Sequence, residues 1–225
     1  MNKNESRLRA LLLKGPIGQI EAMLEEYDMQ AHTRIALICH PHPLFGGTMH
    51  NKVVHQIAAT LHQLEFATLR FNFRGVGQSQ GVHDHGQGET DDAAYLLDYL
   101  KNRHPHATRV VLAGFSFGCF VATQLMHQIH TGLRTEIKSN NIDVWELLLV
   151  SPAVNKMDFS ALSQLNVNKI CIQGESDDIC ESQYLKAQYP NFKDPKSLTL
   201  IQGANHFYQQ LLPQLGAAIS HGICS

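Results

Sequence analysis

Gly114-Phe115-Ser116-Phe117-Gly118 is the stretch on which the fold turns. It follows Arg109-Val110-Val111-Leu112-Ala113, an apolar, β-branched run that reads as a buried strand. It precedes Cys119 to Met126, which continues as a helix with Ala122, Leu125, Met126 and Ile129 on one stripe. Strand, G-x-S-x-G, helix is the context that holds a serine at the tip of a sharp turn with its hydroxyl exposed. Glycines at 114 and 118 remove Cβ atoms that would collide as strand and helix close on each other. The first helical turn directs unpaired N–H groups toward charge developing at Ser116. A bare G-x-S-x-G also occurs in turns without chemistry, so the rest of the chain has to decide.

On either side of this stretch, strand and helix patterns alternate. Arg34–Cys39, Phe66–Phe71, Trp145–Val150, Lys169–Gln173 and Leu198–Ile201 read as strands. Val54, Ile57, Ala58 and Leu61 fall at helical spacing, as do Ala93, Leu96, Leu97 and Leu100. Short helices are expected over Met157–Leu165 and Ser182–Ala187. A C-terminal helix is expected from Tyr208 onward, with a kink or a start at Pro213. Before them, Leu8–Lys14 and Gln19–Tyr27 flank the turn Gly15-Pro16-Ile17-Gly18 and suggest an antiparallel pair, although Glu21–Glu26 also fits a helix. The alternation implies a mostly parallel sheet covered on both faces, with ligands meeting the loops at the carboxyl ends of the strands.

Ser116 sits just past such a strand end. A serine hydroxyl needs a general base, and the base needs an orienting carboxylate. A nucleophile on this kind of turn takes its partners in chain order, acid and then histidine. The Lys169–Gln173 strand runs into Gly174-Glu175-Ser176-Asp177-Asp178. The Leu198–Ile201 strand runs into Gln202-Gly203-Ala204-Asn205-His206. Ser116, Asp177 and His206 are therefore the candidate catalytic residues, with Asp178 and then Glu175 as alternatives for the acid. Two N–H donors are needed for an oxyanion. Phe117 supplies one, and the other should come from His40-Pro41-His42-Pro43-Leu44-Phe45-Gly46-Gly47-Thr48. Pro41 and Pro43 have no N–H. His42 is the better placed donor and Leu44 the next.

Composition narrows the classes. With 225 residues and 17% charged side chains, the chain reads as one globular domain, 1–225. A net charge of −2 gives no electrostatic footprint for nucleic acid or an anionic membrane. The five cysteines form no C-x-x-C pair, and no signal peptide is visible; free thiols and a cytoplasmic location are expected. His40/His42 and His83/His85 raise the question of a metal, but no zinc-type spacing accompanies them, and neither metal nor cofactor is expected. Gly75-Val76-Gly77 lacks the third glycine of a dinucleotide site, because Gln80 stands there; Arg74 beside it reads as structural or pocket-lining.

Together, His40-Pro41-His42-Pro43 with Gly46-Gly47-Thr48-Met49, Arg70-Phe71-Asn72-Phe73-Arg74-Gly75-Val76-Gly77 and Gly114–Gly118 resemble the α/β-hydrolase superfamily. The likeness runs from about Arg34 to Phe207 and is greatest to small bacterial serine hydrolases near the dienelactone-hydrolase and carboxylesterase branches. It implies a central sheet of about eight strands with helices on both faces. It also implies Ser116 as nucleophile, Asp177 as acid, His206 as base, and backbone donors at His42 and Phe117. Two positions depart from the pattern: Pro41 stands where a glycine often follows the loop histidine, and the nucleophile is serine where dienelactone hydrolases have cysteine. Only Ser151–Asn168 fills the gap where many relatives insert a cap, so an open, lidless site is expected. The substrate expected is a small ester or thioester. A peptidase or amidase on the same residues, and a non-catalytic binding protein, are the alternatives. A homo-oligomer is compatible with the sequence but not indicated by it.

Overall fold

The computed structural model describes residues 5–27, 32–135, 137 and 142–225. Its strands are β1 (Ser6–Lys14), β2 (Gln19–Tyr27), β3 (Arg34–Cys39), β4 (Ala67–Phe71), β5 (Arg109–Phe115), β6 (Val144–Val150), β7 (Asn168–Gly174) and β8 (Lys196–Ile201). They form one sheet in the order β1-β2-β4-β3-β5-β6-β7-β8. The pairs β1·β2 and β2·β4 are antiparallel, and all the others are parallel. The helices are α1 (Lys52–Gln63), α2 (Gln87–Arg103), α3 (Phe117–His130), α4 (Ser182–Gln188) and α5 (Leu212–Cys224).

Strand alternation feeds two cores. Along β5, Val110 and Leu112 face α2 and α3, meeting Leu96, Leu97, Leu125 and Met126. Val111, Ala113 and Phe115 face the opposite way, toward Val54, Ile57 and Leu61 of α1 and Leu215 and Ile219 of α5. Burial of both faces is what a parallel sheet requires. β2 is a strand and not the alternative helix. Ile20, Ala22 and Leu24 are buried at period two, and the strand is paired on both edges.

The site's position follows from topology. Strand order reverses between β3 and β5, so the crevice opens at the carboxyl ends of these two neighbours. Cys39 pairs with Gly114, which sets the loop after β3 beside the serine turn. Gly174 pairs with Ile201, which sets the loop after β7 beside the loop after β8.

Two expected helices differ from the sequence reading. Over Met157–Leu165 only Ser160–Ser163 is helical, as a 3-10 turn. Asp158 Oδ1 accepts from Ser160 N at 2.8 Å and Ser163 Oγ donates to Ser160 O at 2.7 Å, so local side chains compete with a longer helix. At the C-terminus the helix begins at Leu212, with Pro213 in its first turn. Tyr208 and Gln210 have positive φ, and Tyr208 is a fully buried turn residue that donates to or accepts from Ser151 Oγ at 2.9 Å. Between β6 and β7 lie only loop and the 3-10 turn, with no inserted cap.

Candidate active site

Ser116 has φ 56° and ψ −117°, a conformation costly for any non-glycine residue. Its surroundings hold it there. Ser116 N donates to Val150 O at 3.0 Å, and Cys119 N donates to Ser116 O at 3.0 Å. A Cβ at Gly114 would lie 2.3 Å from Cys119 N and from Gly118 C, and one at Gly118 would lie 2.2 Å from Cys39 O. Both positions are glycine because backbone passes backbone with no room for a methyl group.

His206 Nδ1 lies 2.8 Å from Asp177 Oδ2. Asp177 Oδ1 accepts from Ile179 N at 3.0 Å and Cys180 N at 2.7 Å, and Gln173 Nε2 donates to Oδ2 at 3.0 Å. Burial alone would raise the Asp177 pKa. The hydrogen bond and charge of His206, with the two N–H donors, outweigh it and hold the carboxyl below its ordinary value. An ionised Asp177 only accepts, so Nδ1 of His206 carries a proton toward it, and Nε2 is the ring nitrogen available for proton transfer. The ring is packed between Phe115, at 4.8 Å between centroids, and Phe207, at 5.2 Å. Asp178 and Glu175 are both exposed.

Ser116 and His206 line one cavity of about 430 Å³. Ser116 Oγ is 3.8 Å from Cys180 Sγ, and among the described residues no hydrogen bond joins it to His206. The N–H groups of Phe117 and His42 donate to no acceptor among the described residues, whereas Leu44 N donates to His42 Nδ1 at 3.3 Å. The loop that carries His42 is fixed from beneath. His40 is fully buried, and its Nε2 accepts from Phe73 N at 2.9 Å. Nδ1 therefore holds the proton and donates to Pro41 O at 2.6 Å, which fixes the peptide plane that carries the His42 N–H. Burial pushes the His40 pKa down to about 4, so the ring stays neutral in this role. The side chains of His42 and Phe117 pack on each other at 4.8 Å between centroids. His83, bound to the buried Glu89 at 2.8 Å, packs on both.

Arg74 makes two 2.8 Å bonds to buried Asp92 and is structural. The five cysteines are free. Among the described residues, no group of three or more His, Cys, Asp or Glu is arranged to hold a metal, and no helix is long and apolar enough to cross a membrane. Cys180 and Lys156 of the cavity wall, and Gln173, which donates to Asp177, were not singled out from the sequence for this site. Gln173 alone had a signal, as the last apolar-strand position before the acid's loop.

Residues 30–159 match the family model described as serine aminopeptidase, S33. An uncharacterized protein of Rickettsia prowazekii is 35% identical over 93% of this chain and 86% of its own length. An alpha-beta serine hydrolase homologue from Coxiella burnetii superposes with a TM-score of 0.83 at 32% identity, covering 96% of this chain and 97% of that one. A serine hydrolase without lid from Xanthomonas campestris gives 0.82 at 31% identity, over 96% and 94%.

Proposed function

The chain belongs to the serine aminopeptidase S33 family of the α/β-hydrolase superfamily, and from that premise we propose that it cleaves a small carboxylic ester or thioester through an acyl-enzyme on Ser116, His206 and Asp177. The observation that carries the reading is His206, with Nδ1 committed to Asp177 and its ring in the same cavity as Ser116 Oγ. The reading requires Ser116 Oγ, 3.8 Å from Cys180 Sγ in the free protein, to turn to His206 Nε2; such bonds often tighten only with substrate bound. His206 takes the proton as Oγ attacks the carbonyl carbon. The carbonyl oxygen, now anionic, draws on the N–H groups of Phe117 and His42. His206 returns the proton to the leaving alcohol or thiol, and water repeats the sequence on the acyl-enzyme. No cofactor is required, and the location proposed is cytoplasmic.

An aminopeptidase reading, which the family description raises, has less support. Such a site would need a carboxylate for the substrate's terminal ammonium, and no acidic side chain lines this cavity among the described residues. Labelling with a fluorophosphonate tests the nucleophile. Wild-type protein should label stoichiometrically and Ser116→Ala not at all; equal labelling of the two ends the reading. A panel of matched esters, thioesters and amides then ranks the bond cleaved.

The acid has its own test. Asp177→Asn leaves the geometry nearly intact but favours the wrong His206 tautomer, and should lower kcat by roughly 10³- to 10⁴-fold. Asp178→Asn should change kcat by less than about twofold, since an exposed carboxylate contributes little. The reverse pattern would move the acid to Asp178.

A further inference from the structure

The cavity that holds Ser116 is walled mainly by apolar groups, among them Phe45, Met157, Ile179 and Phe207. One lining residue stands apart. Lys156 lies in the segment after β6, on a turn in which Lys156 N and Met157 N both donate to Ala153 O, at 2.9 and 3.0 Å. α4 braces that turn, because Gln188 Nε2 donates to Val154 O at 3.0 Å. The lysine backbone is thus anchored while its side chain is exposed along the cavity wall. Its ammonium makes no hydrogen bond or ion pair with any described residue, unlike Lys169 and Lys196, which are tied to carbonyls. The titratable residues of the lining are His42, Lys156, Cys180 and His206, none of which offers a carboxylate to neutralise it.

The placement of the charge matters. The positive charge of Lys156 lowers the pKa of both His42 and Cys180, and Cys180 Sγ touches Ser116 Oγ. For each of these groups burial is the larger influence, His42 being pushed down and Cys180 up to about 11. The ammonium is thus within electrostatic reach of the cavity lining, as a minor influence on it, on a wall otherwise fitted to hydrocarbon.

We propose that Lys156 pairs with an anionic group of the substrate, so that the preferred ester or thioester joins an apolar segment to a carboxylate, sulfonate or phosphate. The proposal rests on the hydrolase reading above. The anion belongs either to the acyl chain or to the leaving group; both are seen by the same ammonium, and substrates distinguish them.

Three esters of similar size make the test. One is neutral p-nitrophenyl butyrate. The second is the p-nitrophenyl monoester of glutaric acid, charged on the acyl side. The third is a butyrate ester of hydroxybenzenesulfonate, charged on the leaving group. Wild-type protein should prefer one charged ester over the neutral one in kcat/KM by about tenfold, the scale of a charge-assisted hydrogen bond in a partly dry site. Lys156→Ala should abolish that preference chiefly through KM, and Lys156→Glu should invert it, while neutral butyrate changes less than about twofold. The preference should shrink as salt rises. Equal treatment of charged and neutral esters by wild type, or an unchanged ratio in Lys156→Ala, overturns the proposal. Ser116-dependent butyrate hydrolysis in the same assay would show the hydrolase reading still standing. Should no ester be hydrolysed, calorimetry with glutarate and with benzenesulfonate decides. Binding of either that is lost in Lys156→Ala supports the anion site, and no binding of either removes it.

Discussion

His206→Ala is expected to lower kcat toward short esters by about 10⁴- to 10⁶-fold, because a serine hydroxyl without a base is barely nucleophilic. The ring lies between Phe115 and Phe207, so its loss also removes packing. That cost is about 1–2 kcal/mol, a fall in Tm of roughly 2–8 °C. Asp177 keeps its donors from Ile179, Cys180 and Gln173 when the imidazole is gone, so the loop after β7 stays formed. The activity loss is thus far too large to be unfolding, and a thermal melt of the variant separates the two. Ser116→Ala should fall to a similar level, and the double variant no further, since groups that act as one unit are not additive. Residual turnover above buffer measures the N–H groups of Phe117 and His42 acting alone. Two single losses that multiply in the double variant would mean that Ser116 and His206 do not serve one proton transfer.

The residues proposed for the chemistry are legible in the sequence because each sits on a loop whose strand announces itself. Val110–Ala113, Lys169–Gln173 and Leu198–Ile201 are apolar runs of strand length, and their register in one sheet carries Ser116, Asp177 and His206 to a common edge. Side chains whose partners are distant in sequence are not legible in this way. Lys169 begins a strand and looks like an exposed edge residue. It is instead fully buried, bonded to the carbonyls of Leu165, Val167 and Lys193, and burial pushes its pKa down to about 8. Lys193 reaches it only because β8 returns alongside β7. Tyr208 fits the helical spacing of the C-terminus, but a buried hydroxyl needs a partner, and Ser151 at the end of β6 supplies it at the expense of a helical turn. Cys180 reads as an ordinary thiol four residues before a helix interior. The turn that caps Asp177 brings it against Ser116.

Gly118→Ala should damage stability and catalysis together. The added Cβ would meet Cys39 O at 2.2 Å, Cys39 C at 2.6 Å and His40 O at 2.7 Å. All three are backbone atoms, so no rotamer change relieves the overlap; α3 or the end of β3 has to move. Overpacking of this kind costs about 3 kcal/mol, a fall in Tm of roughly 6–12 °C. The direction of the movement carries the second effect. Cys39 and His40 lead into the peptide between Pro41 and His42, which His40 Nδ1–H holds in place. Where the end of β3 is what yields, the His42 N–H is withdrawn from the carbonyl oxygen while Phe117 keeps its own; where α3 yields, the Phe117 N–H is the donor displaced. Loss of one such donor lowers kcat by about 10²- to 10³-fold with little change in KM. Gly132→Ala is the control. Gly132 has φ 76° but nothing within 4 Å of its would-be Cβ, so only the left-handed backbone is penalised, about 1 kcal/mol, with kcat unchanged. Melting curves and steady-state kinetics on the two variants separate crowding at the serine turn from a general glycine effect. Gly118→Ala protein with wild-type Tm and kcat would mean that the loop after β3 does not press against the start of α3, and that the second N–H donor lies elsewhere.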